Sequence, residues 1–153
     1  MVLVCLVVGA LARTASAEPA RPTETSDGGE GFRIVVNVAN PVDALAREEI
    51  ARIFLNRVPR WDAWPGQPRI EPVDLLASSE IRRSFTEVIH GKPVAWVVNF
   101  WQRLIFSGRG KPPPMRDSET EVLAFVRANE GGIGYVGTSI PLGVGVKEIQ
   151  VLE

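Results

Sequence analysis

Thiols, imidazoles and net charge are what this chain has least of. There is one cysteine, Cys5, and one histidine, His90. An internal disulfide is excluded, and a zinc site built from Cys and His has no ligand set to draw on. Lysine and arginine number 17 against 18 aspartate and glutamate, a formal net charge of −1. A near-neutral chain has no general field for nucleic acid, so none is expected as a partner. The apolar run Val2–Leu11 falls short of the roughly 20 residues a membrane span needs. No nucleophile–base pair and no paired-carboxylate motif stands out, and the P-loop spacing is absent. An enzyme is therefore not expected, nor a cofactor.

The chain has 153 residues, enough for one domain and not two. Its first part reads as targeting sequence. Val2–Leu11 is apolar, and Ala15-Ser16-Ala17 is a small-x-small cleavage site, so residues 1–17 are expected to be a secretory signal. Residues 18–31 are rich in Pro, Thr, Ser, Gly and Glu and are expected to be a disordered linker. Residues 32–153 are the folded domain, placed in the periplasm or outside the cell, with no stable membrane insertion after cleavage.

Phe32–Val38 reads as a strand, apolar on both faces and so covered on both. Asn40-Pro41 follows at its carboxyl end, as a turn or as a ligand contact. Ala46, Ile50, Ile53 and Phe54 form one stripe of an amphipathic helix, with Glu48 and Glu49 in its first turn. Pro59 forbids more helix, and Trp61 and Trp64 then anchor a loop to the core or offer a stacking surface to a ligand. Arg69–Asp74 is a short strand, which Pro72 confines to an edge or an end. Ser79 caps a helix with the apolar face Ile81, Phe85, Val88 and Ile89, and Gly91 stops it. His90 sits in its last turn, as a cap or surface residue. Val94–Phe106 is a helix so apolar that cover on two sides is expected. Gly108 and Gly110 turn the chain after it, and Pro112–Pro114 stiffen the exit. Ser118 and Glu121 make a capping box for a helix to Asn129. Ile133–Val136 and Val144–Leu152 close the domain as strands.

Taken together, three of these pieces resemble the phosphate ABC transporter substrate-binding proteins, the PstS-like, type II periplasmic binding proteins. They are the Ile53-Phe54-Leu55 helix with Trp61 after it, Ser79-x-x-Arg82-x-x-Phe85, and Gly132-Ile133-Gly134-Tyr135-Val136. The resemblance runs from about Ile34 to Val136. It implies an α/β fold, a single lobe of the two-lobed binding protein, with about four strands flanked by about four helices. It also implies an anion held at the start of the Ser79 helix, by hydroxyl and backbone N–H groups at a positive helix end. This chain departs from the family pattern at Glu80, where the pattern has Gly, and at Ile81, where it has Thr. Leu75 replaces an arginine that would hold phosphate in a bidentate grip.

The candidate ligand residues are Asn40, Ser78, Ser79, Arg82, Gly108 and Arg109. The last two stand in a cation-rich loop with Arg103, Lys111 and Arg116. The expected ligand is phosphate or another small anion, bound weakly because one lobe offers half a cleft. The alternative is a module that keeps the fold, has lost the ligand and contacts a periplasmic protein or transporter.

Overall fold

A computed structural model describes residues 31–153. The expected signal segment, and all of the expected linker but Gly31, lie outside the described residues. Among the described residues the buried apolar cluster runs from Ile34 to Ile149.

The strands are β1 (Phe32–Asn37), β2 (Ala44–Ala46), β3 (Glu71–Pro72), β4 (Asp74–Leu75), β5 (Met115–Arg116), β6 (Gly132–Gly137) and β7 (Val146–Leu152). The helices are α1 (Arg47–Phe54), α2 (Glu80–Phe85), α3 (Val94–Phe106) and α4 (Glu119–Ala128). One sheet has the order β2-β7-β1-β6-β3, and β4 and β5 form a separate parallel pair. β1 is antiparallel to both neighbours, β6 and β7, while β2 and β3 join the edges in parallel. The result is one mixed α/β lobe.

Side chains alternate across a strand, and the partners sort by parity. Tyr135 lies opposite Ile34 in the β1–β6 ladder, and its ring stacks on Phe85 of α2 and meets Phe54 of α1. Gly134 faces the other way, where a Cβ would run into Val122 of α4 and into Val73. Asn37 points to the same side and donates to the carbonyls of Val126 and Arg127, near the end of α4. The sheet is thus covered by α1 and α2 on one face and by α4 on the other. That is why Ile34, Val35 and Val36 are all buried, as an apolar run without alternation requires.

Several local expectations are corrected. Ala46 ends β2 and is exposed, so it drops out of the expected stripe, which is Ile50, Ile53 and Phe54. The expected strand Arg69–Asp74 divides between two sheets. Pro72, which has no N–H to donate, ends its part in the large sheet, and Asp74 starts the small one. The Ser79 helix does not stay regular: Thr86–His90 form a π-helical turn that Gly91 closes at φ 61°. The helix Val94–Phe106 is not covered on two sides. Only Val97 and Trp101 are buried. Its main partner is the π-helical turn, and the loop after it folds back so that Gly110 lies against Trp101 and Leu104.

The two indoles of the Trp loop have different fates. Trp61 is 2% exposed and donates its Nε1–H to the Gly131 carbonyl at 3.1 Å. Trp64 is half-buried against the core margin. The loop is closed around Trp61 by Trp61 N–H to Pro68 O and Ile70 N–H to Pro59 O.

Candidate functional site

β3 runs alongside β6, and β4, paired with β5, carries the chain on toward α2. There a turn closes with Ser79 N–H on Leu76 O, and α2 begins. Ser79 is its N-cap: the Oγ accepts from the Arg82 N–H at 3.3 Å. Ser78 beside it is exposed. An extended serine before a helix offers its oxygen to N–H groups that have no carbonyl partner, which explains the cap without a ligand.

Behind the cap lies a buried polar network. Arg82 is 4% exposed and turned inward. Its Nη2 pairs with Asp74 Oδ2 at 3.0 Å, and its Nη1 donates to the Leu75 carbonyl. Tyr135 donates its hydroxyl hydrogen to Asp74 Oδ1, and the Leu75 N–H lies 2.9 Å from the same oxygen. Burial pushes the Asp74 carboxyl above its ordinary range, against the opposing pull of Arg82, Tyr135 and the Leu75 N–H. Tyr135 is pushed up as well, by burial first and then by the Asp74 charge. Arg82 therefore joins the β4 end, α2 and β6 internally, and its charge is matched inside the protein.

The N–H of Gly137, at the carboxyl end of β6, donates to the Glu119 carboxylate from the first turn of α4. Glu80, in the first turn of α2, pairs with Arg83 at 2.6 Å. Carboxylates thus stand at both helix starts on this end of the sheet, where the dipoles favour negative charge.

The six candidate residues do not converge. Ser78, Ser79 and Arg82 are together, but Arg82 points away from the surface its neighbours present. Asn40 is at the opposite end of β1, because Asn37 leads to it while Phe32 pairs with Gly137. It is 1% exposed, its Oδ1 accepts the Val42 N–H at 2.9 Å, and its N–H donates to Asn37 O: a buried turn. Gly108 and Arg109 are exposed at the end of α3. Asp74, Tyr135 and Glu119 are the site residues that sequence reading missed. Nothing in spacing ties positions 74, 82 and 135 together. The available signal was chemical: an arginine on the apolar face beside Ile81 and Phe85 needs a buried acid.

His90 is half-buried in the π-helical turn, edge-on to Phe85 with centroids 5.7 Å apart. Burial, and then the Arg82 charge, lower its pKa from 6.5 to about 4. His90 stands in the last turn before Gly91, as expected, but half-buried rather than on the surface, where burial favours the neutral ring. A depressed histidine pKa means the unfolded chain takes up the proton first. Stability is complete above pH 6.5 and declines as pH falls through 6.5 to about 4. With the ring partly solvated, the loss attributable to His90 is on the order of 1–2 kcal/mol. Urea unfolding at a series of pH values checks this: the wild-type curve is expected to fall more steeply than that of His90→Gln, and parallel curves would refute it.

The geometry defines a class of protein, one lobe of the periplasmic-binding-protein type. Solved structures carry the likeness further. An ABC-type phosphate transport receptor from Vibrio cholerae is 26% identical over 79% of this chain and 46% of its own, with a TM-score of 0.58. A protein from Clostridium perfringens, assigned as a phosphate ABC transporter substrate-binding protein and holding phosphate, is 20% identical over 79% and 44%, with a TM-score of 0.59. A possible phosphate binding protein from Planctomyces limnophilus is 19% identical over 80% and 42%, with a TM-score of 0.61. This chain spans less than half the length of each. No family model matches the sequence, and no curated protein matches it. The similar structures are transport receptors and binding proteins, not enzymes. No helix among the described residues is long and apolar enough to cross a membrane.

Proposed function

We propose that this chain is a periplasmic or secreted solute-binding lobe of the phosphate-receptor kind, which holds a phosphate-like anion weakly at Ser78–Ser79. The observation that carries this reading is the Ser79-capped helix start beside the carboxyl ends of β4 and β6, in a fold shared with phosphate-binding proteins. Ser78 and Ser79 supply the hydroxyls. Arg82 is left out of the site, because Asp74 and the Leu75 carbonyl already engage its guanidinium. Two features make the affinity low. The Gly137 N–H is taken by Glu119, and Glu80 adds a negative charge beside the anion.

Titration of residues 18–153 with phosphate, and with sulfate as control, tests this by calorimetry and amide NMR. The expected dissociation constant is about millimolar, or roughly −4 kcal/mol. Shifts are expected at Ser78–Ile81 and are expected to shrink in Ser79→Ala. Micromolar binding abolished in a folded Arg82→Ala variant would make Arg82 a ligand and overturn the assignment. An absence of shifts at tens of millimolar phosphate would remove anion recognition. The second reading would then stand: a lobe that keeps the fold and contacts a protein or transporter. It is favoured by the Glu119 carboxylate, which already takes the Gly137 N–H, and by the Glu80 charge at the start of α2.

A further inference from the structure

From Lys92 to Arg116 the sequence has no acidic residue, although the whole chain is slightly acidic. Within that stretch α3 ends on a protruding tip. Phe106 is 89% exposed and Ile105 51% exposed, and Ser107, Gly108 and Arg109 are exposed with them. The tip is built, not frayed. The Gly108 N–H donates to Ile105 O and the Arg109 N–H to Leu104 O, each at 3.0 Å, with Gly108 at φ 68°. Arg103, Arg109 and Lys111 surround it, and none of them pairs with a carboxylate among the described residues. Each of those described pairs lies elsewhere on the lobe.

Leaving a phenylalanine almost fully in water at a hydrogen-bonded tip forgoes the burial that a Phe side chain normally gains. The shape points to what covers it. Lys111 borders a cleft with Arg69, Glu71 and Pro112, while Ile105, Phe106 and Arg109 stand exposed. An exposed apolar tip near cations that have no carboxylate partner among the described residues matches the headgroup layer of an anionic bilayer, where apolar side chains enter and cations meet lipid phosphates. We propose that the end of α3, Ile105–Lys111, is a peripheral membrane contact: Phe106 and Ile105 enter the headgroup layer, and Arg103, Arg109 and Lys111 bind anionic lipid. The contact is reversible, because one aromatic and three cations fall far short of a stable anchor. It is independent of the anion site at Ser78–Ser79, which lies at the start of a different helix.

Co-sedimentation with vesicles tests it, using residues 18–153, which include every described residue and omit the apolar run Val2–Leu11. Binding is expected to vesicles of equal phosphatidylglycerol and phosphatidylcholine, to fall as salt rises, and to vanish on pure phosphatidylcholine. Phe106→Asp, and separately Arg109→Glu with Lys111→Glu, are each expected to weaken binding about tenfold. Both sites are exposed, so unfolding midpoints stay at the wild-type value and separate lost contact from lost fold. Failure to sediment with the anionic vesicles overturns the proposal. So does equal binding to phosphatidylcholine, or binding that both variants retain; the last would place the contact elsewhere on the lobe.

Discussion

Arg82→Ala is expected to cost about 3–5 kcal/mol of unfolding free energy, the range found when one partner of a buried ion pair is removed. Against a typical total of about 5–15 kcal/mol, that is about a fifth of the stability at the least. The cost has a definite origin. Asp74 is buried, and burial already pushes its carboxyl up. Of the groups that oppose that rise, the guanidinium 3.0 Å away acts most strongly. Without Arg82 the carboxyl keeps the Tyr135 hydroxyl and the Leu75 N–H but loses its counter-charge. It must then be buried as an unpaired anion or take up a proton. A double-mutant cycle with Asp74→Asn isolates the pair. The coupling is expected to exceed about 1 kcal/mol, so that Arg82→Ala costs less when Asp74 is already Asn. Urea denaturation of the four proteins gives the numbers. A loss under about 1 kcal/mol in the single variant would mean that the guanidinium is not held internally. Arg82 would then return to the candidate anion ligands.

Trp61→Ala is the second large effect, expected at about 3–5 kcal/mol, as for other buried aromatics cut back to alanine. Trp61 fills the core behind the loop and ties it to Gly131, whose carbonyl also takes the Glu71 N–H at 2.9 Å. The damage therefore reaches β3, and amide exchange is expected to rise across residues 56–72. Trp61→Phe keeps most of the packing and loses one hydrogen bond, at about 1 kcal/mol before the smaller ring is counted. Trp64→Ala is expected to cost about 1 kcal/mol or less, since that ring is only half-buried. Equal losses at Trp61 and Trp64 would refute the assignment of Trp61 as the anchor.

This pair shows where sequence reading stops. Both indoles follow the same proline, and both read as anchors for the loop. Which one enters the core depends on the distant Gly131, which no local pattern reveals. The same holds for Pro72. Its missing N–H predicts a strand end, but only the positions of β5 and β6 decide that the next residues join a different sheet. For Val94–Phe106, composition argues for burial on two sides, yet the fold provides cover on one. Apolar content states what a helix can bury, not whether a neighbour is present to receive it.

Local or periodic features were legible in the sequence: an apolar strand around Val35, the Ser79 and Ser118 caps, the helix stops at Gly91 and near Asn129, and the α/β class. These follow from backbone sterics, unpaired N–H groups and the spacing of apolar residues, all readable within a few positions. What only the tertiary structure decided was long-range. It brought Asp74, Arg82 and Tyr135 together, turned Arg82 inward, gave the Gly137 N–H to Glu119, and set Asn40 at the far end of β1 from the Ser79 helix. The reason is that buried charge is governed by which groups lie within a few ångströms, and those partners come from strands and helices far apart in the chain.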